Sequence, residues 1–274
     1  MSDDPRTSPA ADRGTPVIDR LSDLLELLEK RPAGSTIREL AFGSGLPRST
    51  VYRCLNTLEA HAVVRRLPSG TYRLGPRLLA LAAQVETDPR ERRLAALAQS
   101  HLDRLSAVTG EGSKLSVLAG GRALVIAVAQ GGAGERVAVG VLAGKTYPIH
   151  AGAASKLLLA HLPAPEAAPL LQVPLPRLTV GTVTDPTILA AELAAIRRRG
   201  YAQDRGEFVP GVHALATPVR DGAGRVLAAV SMPFLADADA RRRVVLRRAL
   251  RKAAAGLSRE LAVTARRAGG RAAG

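Results

Sequence analysis

The side chains best suited to chemistry are arginines and hydroxyls grouped in STIRELAFGSGLPRSTVYRCLNTLE. The polar residues after Pro47 recur at the spacing of a helix, on the side of that helix that the leucines do not occupy. An arginine can donate two hydrogen bonds to a guanine edge, whereas serine and threonine hydroxyls and helix N-terminal amides bind phosphate. This pattern predicts contacts with DNA. The side chains expected to make them from one helix are Arg48, Ser49, Thr50, Tyr52, Arg53 and Asn56.

Two short helices and a tight turn are expected to position these side chains. Thr36, with a glutamate three residues later, fits a capping box and predicts the start of a helix. Gly43 and Gly45 are expected to break that helix, and Pro47 suits the first turn of the next one, which ends near Ala60. The spacing predicts a helix-turn-helix. The residues expected to pack its helices together are Leu40, Leu46, Val51, Leu55 and Leu58.

A basic hairpin is predicted directly after this motif. Residues 63–66 and 71–74 are β-like, and Pro68-Ser69-Gly70 between them favours a turn. A plain helical bundle with a solvated arginine face is the alternative, but a capped helix, a glycine turn and a basic hairpin coincide here. We therefore predict a winged helix-turn-helix. The remaining residues expected to contact DNA are Thr36, Arg65, Arg66 and Arg73.

Composition agrees with an anionic partner. The 274 residues carry a formal net charge of +15, which favours nucleic acid, a membrane surface or an acidic ligand. Aromatic residues make up 3%, too few for a base-stacking platform. The single cysteine, Cys54, excludes an intramolecular disulfide and is interpreted as a packed apolar residue rather than a redox sensor. Without a signal-like start or a long apolar run, a soluble cytoplasmic protein is expected.

The second half alternates strand-like and helical segments. A helix is expected from Pro76, and a longer one ends at Gly110. KLSVLA, RALVIAVAQ and RVAVGVL are expected to be antiparallel strands, and HALATPVRD with RVLAAVSMPF to be a closing hairpin. AASKLLLAHL, ILAAELAAIRRRG and the arginine-rich stretch from residue 240 are predicted helices. This order predicts an α+β sensor-like domain.

A few residues of this half could bind a ligand. Small residues at a strand-to-helix junction expose backbone amides, which favours an anion at Ala151, Gly152 and Ala153. Asp204 and Glu207 could hold a metal or do acid–base work, but no cluster of histidines or cysteines supports them. His150, His213 and the other candidates are best interpreted as packed residues. No metal, cofactor or catalytic group is predicted.

Several segments in order resemble the IclR (isocitrate lyase regulator) family. They are IRELA, LPRSTVYRCLNTLE, VVRRLPSGTYRLGPRLL, IHAGAASKLLLA and ELAAIRRRGYAQDRGEFVPGVHALATPVRDGAGRVLAAVSM. The resemblance spans about residues 17–262. It implies a winged helix-turn-helix, a linker helix and a GAF-like effector domain. It also implies homodimers, often tetramers built as pairs of dimers.

Composition predicts a disordered tail at 1–16, which lacks apolar periodicity, and the resemblance implies the other boundaries and a ligand pocket. The expected parts are a disordered tail at 1–16, the winged helix-turn-helix at 17–77, a linker helix at 78–88, the GAF-like domain at 89–262 and a disordered tail at 263–274. The family's pocket takes small organic or aromatic acids at the junction that contains Ala151, Gly152 and Ala153. The matching positions elsewhere in this chain are Asp204, Glu207, Ala214 and Ser231.

Some positions depart from the family pattern. Ala214 replaces the pocket cysteine, Pro233 replaces a second small polar residue, and Ser155 replaces the glycine before Lys156. The loss of polar groups at Ala214 and Pro233 suggests a less polar ligand, or none. Lys156 itself is expected to be structural or to lie on a helix face.

Three functions remain open at this stage. A regulator that binds a pseudo-palindromic operator as a dimer and responds to a small effector fits best. A ligand-independent DNA-binding regulator is the alternative, and an enzyme is not expected. The arginine-rich C-terminal helix is interpreted as a solvated face in preference to a phosphate-binding one.

Overall fold

The computed structural model describes residues 16–84, 88–132, 139–172 and 174–271. The chain divides into two compact units, Met1–Glu86 and Thr87–Gly274. Of the tail expected at residues 1–16, only Pro16 lies inside the described residues, and it begins the first helix.

The first unit contains three helices, a two-stranded hairpin and a short fourth helix. Its elements are α1 (Pro16–Glu29), α2 (Ile37–Ser44), α3 (Arg48–Ala60), β1 (Val64–Arg66), β2 (Tyr72–Leu74) and α4 (Arg77–Ala83). The two strands are antiparallel, with Val64 opposite Leu74. This arrangement confirms the predicted winged helix-turn-helix. The linker helix expected at 78–88 corresponds to α4, and residues 85–87 lie outside the described part.

A leucine-rich core holds the helices of this unit together. Its buried residues are Leu24, Leu28, Leu40, Val51, Leu55, Leu58, Val64 and Tyr72. Gly45 ends α2 with a φ of 68°, a left-handed conformation that glycine adopts at little cost. The expectation that Gly43 breaks the helix is wrong. Gly43 lies inside α2, where a Cβ atom would be 3.0 Å from the Leu27 side chain, so its small size permits close packing of α1 on α2.

The second unit is built on one antiparallel sheet. Its strands are β3 (Ser113–Ala119), β4 (Arg122–Ala129), β5 (Thr146–Pro148), β6 (Ala202–Arg205), β7 (Val212–Arg220) and β8 (Val226–Leu235), in the order β5-β4-β3-β8-β7-β6. Its helices are α5 (Pro89–Thr109), α6 (Ala153–Ala160), α7 (Ala164–Leu171), α8 (Pro186–Arg199) and α9 (Ala240–Arg271).

Helices cover both faces of this sheet. Along β8, Ala228 and Val230 pack in the cluster that contains α5 and α9, whereas Ala229 between these positions packs with α6 and α8. Successive side chains of a strand point to opposite faces, so a nearly continuous apolar run buries both. The second unit is therefore an α+β domain, as predicted. Its sheet lies between two layers of helices.

Some elements differ from the sequence prediction. α9 continues to Arg271, so the disordered tail expected from residue 263 is wrong for 263–271, where alanine and arginine favour a helix. In RVAVGVL, residues 136–138 lie outside the described part and 139–142 form no strand. β5, β6 and α7 were not predicted. β5 and β6 have three and four residues, too few to show a period, and α7 contains Pro169, which argues against a helix.

Replacement of Gly75 by alanine should loosen the wing. The Gly75 amide donates to the Val63 carbonyl at 2.7 Å, and an added Cβ would lie 2.2 Å from the Ala62 carbonyl oxygen. Because backbone must move to relieve this overlap, we expect a loss of about 2 kcal/mol in local stability. Hydrogen exchange at α3 and β1 amides measures it. Gly140→Ala, where a Cβ meets nothing within 4 Å, is the control; equal exchange in both variants would contradict the packing described.

Candidate DNA interface and ligand cavity

The outer face of α3 carries polar side chains that are not used inside the protein. Val51, Leu55 and Leu58 are buried, which turns the opposite side of the helix outward. In the described part of the chain, no hydrogen bond or ion pair occupies any of the polar side chains on that side. Those that are exposed are Arg48, Ser49, Tyr52, Arg53 and Asn56, and Thr50 is half-buried. The face can therefore present arginine and amide groups to a base-pair edge.

Thr36 has a positioning role in addition to the one predicted. Its hydroxyl accepts from the Glu39 amide at 3.3 Å, and its own amide donates to Glu39 Oε2 at 2.8 Å. The Thr36 amide and, at 2.9 Å, the Thr36 hydroxyl both donate to the Glu39 carboxylate and hold its pKa below the usual range, with help from Arg31. The capping box thus orders the start of α2. A contact between Thr36 and DNA stays a prediction.

The wing offers two exposed arginines and one that is partly enclosed. Arg65 and Arg66 on β1 are exposed, and the Arg66 guanidinium lies 5.8 Å from the Tyr72 ring centroid. Arg73, opposite Arg65, is half-buried, and its Cγ would lie 3.2 Å from a Cβ at Gly34. Arg73 is therefore less available than its position in the sequence suggests.

Two exposed residues beside Arg48 were missed by the sequence analysis. Arg38 and Phe42 on α2 share a groove with Arg48, and Phe42 is 92% exposed. An apolar ring at a surface position of a helix carries no periodic signal, so only the structure shows that this aromatic residue extends the basic face of α3.

A cavity of about 170 Å³ lies in the second unit, at the start of α6. Gly152 precedes the helix with a φ of 92°, so the chain turns sharply at the N-terminus. The predicted residues that line the cavity are Gly152, Ala153, Asp204, Ala214 and Ser231. Ala151 and Glu207, although predicted with them, do not line it.

Two lysines and two aromatic residues of the lining, Lys114, Lys145, Tyr147 and Phe208, were not predicted. The Lys114 ammonium is 3.9 Å from the Tyr147 ring centroid, and that of Lys145 is 5.9 Å away. Phe208 packs edge-on to Tyr147, with centroids 4.7 Å apart. Burial, together with the positive charge of Lys145, lowers the pKa of Lys114 to about 8, against the opposing effect of Asp204. The cavity therefore combines cations with an apolar wall.

The cavity also contains hydrogen-bonding oxygens. Ser231 is 1% exposed, and its hydroxyl has no partner among the described residues. Asp204 accepts a hydrogen bond from the Glu207 amide at 2.7 Å, and burial raises the pKa of its carboxyl. A buried hydroxyl without a partner is costly, so the site is suited to a ligand that supplies one.

Behind the cavity, Lys156 of α6 is completely enclosed. Its ammonium donates to Glu207 Oε1 at 2.5 Å and to Glu192 Oε1 at 2.7 Å. Burial raises the pKa of the Glu207 carboxyl, and the charge of Lys156 opposes that rise. Glu207 is thus a partner of Lys156, which explains why its side chain does not reach the cavity. The ion pair holds the segment that carries Phe208, and Lys156 is structural, as expected.

The remaining candidate residues have packing roles. His150 is buried and hydrogen-bonds to the Pro176 carbonyl at 3.0 Å, and burial lowers its pKa. His213 packs edge-on to Phe234, and Cys54 packs against the core of the first unit. The described residues contain no group of three or more possible metal ligands. No helix within the same ranges is long and apolar enough to cross a membrane.

Comparison with protein families matches both units. The IclR helix-turn-helix domain matches residues 17–68, and the bacterial transcriptional regulator IclR C-terminal domain matches residues 90–259.

Individual relatives agree along most of their length. The chain is 37% identical to the HTH-type transcriptional regulator Rv1719 of Mycobacterium tuberculosis, over 82% of this chain and 84% of that protein. It is 34% identical to the HTH-type transcriptional regulator BhcR of Paracoccus denitrificans, over 83% of this chain and 81% of that protein. Among solved structures it is similar to an IclR homolog from Microbacterium hydrocarbonoxydans complexed with 4-hydroxybenzoate. That match has a TM-score of 0.59 and 28% identity, over 89% of this chain and 98% of that one.

Replacement of Lys156 by methionine should destabilise the second unit. It leaves the buried Glu207 carboxylate without its cation, which costs about 3–5 kcal/mol when a buried pair loses one partner. A Lys156→Met/Glu207→Gln double variant should recover part of the loss. Urea unfolding of both variants measures the effect.

The loss of stability in the Lys156→Met variant should also depend on pH. Because the folded-state pKa of Glu207 then lies above its unfolded value, protonation favours the fold, and the destabilisation should shrink as the pH falls from 7 toward 5. A loss that is small at neutral pH, or that grows in acid, would contradict the buried ion pair.

Proposed function

The chain belongs to the IclR family of bacterial transcriptional regulators, and we propose that a small organic acid bound in the α6 cavity controls its binding to DNA. The family match and the helix-turn-helix make it a DNA-binding regulator rather than an enzyme. Since the target is bacterial DNA, we place its action in the cytoplasm.

In the proposed complex, α3 and the wing contact the DNA. α3 would enter the major groove with Arg48, Arg53 and Asn56 toward the base edges, because their side chains are exposed and unengaged. Ser49 and Thr50 at the helix start, with the wing arginines, would bind phosphates. Phosphate contacts fix the register, and the base-edge contacts provide sequence specificity.

We propose a homodimer on a pseudo-palindromic operator, and a tetramer built as a dimer of dimers. Exposed apolar side chains in the first unit support an interface: Leu79 on α4 is 76% exposed, and Leu81, Val17 and Ile18 are also exposed. Large apolar groups on short amphipathic helices are typical of surfaces that a second copy covers. A two-fold dimer would place two recognition helices on half-sites about one helical turn apart.

The effector proposal depends on one observation: two lysines and an unpartnered buried hydroxyl face the same small cavity. A carboxylate there would receive charge-assisted hydrogen bonds from Lys114 and an additional one from the Ser231 hydroxyl. The start of α6 adds amide donors and a favourable dipole. Asp204 could accept from a hydroxyl on the same ligand.

Cavity size restricts the ligand further. The volume of about 170 Å³ is below the roughly 300–1,000 Å³ of sites for drug-sized molecules. Tyr147 and Phe208 favour a flat or apolar body, and the IclR homolog crystallised with 4-hydroxybenzoate binds a molecule of this class. Lys114 and Lys145 provide the polarity that Ala214 and Pro233 lack, so the earlier expectation of a less polar ligand is replaced by that of a small acid.

Effector control requires unequal affinity of the ligand for two states of the protein. The segment with Glu207 and Phe208 is a suitable element, since it forms both the cavity wall and one side of the buried ion pair. A ligand-independent regulator is the second candidate, but it leaves the Ser231 hydroxyl and the paired lysines without a role.

Alanine at Arg48 or Arg53 should weaken operator binding and preserve the fold. Each loses a bidentate base contact worth about 1–3 kcal/mol, so affinity for the operator selected from genomic fragments should fall roughly tenfold or more. Fluorescence anisotropy at fixed salt measures this. Arg198→Ala, an exposed arginine of α8, is the charge-matched control. If both α3 variants bound as the control does, α3 would not be the recognition helix.

The effector can be probed with 4-hydroxybenzoate and its neutral analogue 4-hydroxybenzamide. The acid, but not the amide, should raise the melting temperature, because a ligand bound to the native state stabilises it. Lys114→Gln should reduce its affinity roughly tenfold.

The affinity for the acid should also be nearly constant between about pH 6 and 7, where the ligand carboxylate is ionised, and fall as the pH rises through about 8, where the Lys114 ammonium loses its proton. Lys114→Gln should lack this decline. Equal binding of the acid and the amide, or no binding by any small carboxylic acid, would eliminate the proposed site without affecting the assignment of α3.

A further inference from the structure

Helix α9 carries far more positive charge than its packing requires. Between Ala240 and Arg271 the sequence has eleven basic residues and one acid, Glu260. Glu260 contacts His101 of α5 at 2.9 Å, and no ion pair joins it to an arginine within the described residues. Three cations outside the row described next have partners: Arg242 donates to Glu111, Arg243 to the Ala238 carbonyl and Arg247 to the Tyr201 hydroxyl.

Five other cations of α9 form one straight row. The α9 row consists of Arg241, Arg248, Lys252, Arg259 and Arg266, at intervals of seven, four, seven and seven residues. At 3.6 residues per turn, these intervals place all five within about 20° of one line along the helix. Leu246, Leu250 and Leu257 are completely buried on the opposite side, so the row faces directly away from the core.

The row is exposed and unpaired. All five residues are exposed, and none forms an ion pair with an acid in the described part of the chain. Arg104 of α5 adds a sixth cation, since it shares a groove with Lys252 and Arg259. Unpaired like charges in a row repel one another, and this repulsion is relieved by a polyanion that lies along them.

We propose that the α9 row binds the phosphate backbone of duplex DNA without regard to sequence, as a contact separate from α3 and the wing. The row is about 37 Å long at 1.5 Å per residue, close to one turn of a duplex at about 34 Å. Its cations can therefore each approach a different phosphate. A second copy of the same surface is excluded as partner because it would place positive charge against positive charge.

Duplex DNA fits the α9 row better than an acidic protein segment does. The row runs along one side of a single continuous helix and is uniformly cationic, which suits a uniformly charged rod. The chain already binds DNA through another surface, so DNA is at high local concentration. The contacted duplex is either the flank of the bound operator or a second molecule, and both present the same phosphate chemistry.

The test compares two triple variants that remove the same charge. Arg248→Gln/Lys252→Gln/Arg259→Gln neutralises the centre of the row, and Arg92→Gln/Arg198→Gln/Arg251→Gln removes three exposed arginines outside it. Binding to a long duplex without an operator is measured over a range of salt concentrations. Each lost phosphate contact lowers the slope of log K against log salt by about 0.9, so the row variant should lose about 2–3 and the control much less.

Two further experiments distinguish the operator flank from a second duplex as the DNA that the row contacts. If the flank is bound, lengthening the operator duplex should raise wild-type affinity but not that of the row variant. If a second duplex is bound, wild type but not the row variant should join two labelled duplexes. Equal salt slopes in the two triple variants would overturn the proposal, as would loss of polyglutamate binding with an unchanged DNA slope, which would identify an acidic protein as the partner.

Discussion

The buried ammonium of Lys156 is the constraint that organises the second unit. A charge with no access to water must be neutralised inside the protein, and Glu207 and Glu192 do this from two different elements. The pair therefore joins α6, α8 and the segment after β6. Hydrogen bonds from Thr179 and Thr182 to the Glu207 carbonyl hold the same segment from a third side. The wall of the cavity is fixed by these contacts.

This anchoring connects stability with ligand binding. Glu207 and Phe208 are adjacent in sequence, but one side chain completes the ion pair and the other packs on Tyr147 in the cavity. Any ligand that moves Phe208 must strain the segment that holds Glu207. The second carboxylate oxygen of Glu207 is buried without a partner among the described residues, so part of the hydrogen-bonding capacity of this segment is unused.

The large positive charge of the chain is divided among sites with different solvation. On α3 the arginines are exposed and unengaged, as direct readout of bases requires. In the cavity Lys114 is half-buried, so its charge depends on pH near neutrality and on a bound anion. On α9 the cations are solvated and lined up along one side of a long helix. Net charge alone indicates an anionic partner, but the degree of burial decides what each cation can bind.

The sequence alone determined the helix-turn-helix, the wing and the α+β second unit, because capping, glycine turns and apolar periodicity are local signals. It also identified Gly152, Asp204 and Ser231, which line the cavity. Tertiary structure alone decided that Lys114 and Lys145 meet at Tyr147, that Glu207 belongs to Lys156, and that Gly43 lies inside α2. These outcomes depend on which strands are neighbours and on how closely helices approach. Pairing across β3, β4 and β5 brings distant residues together, and no local pattern records it.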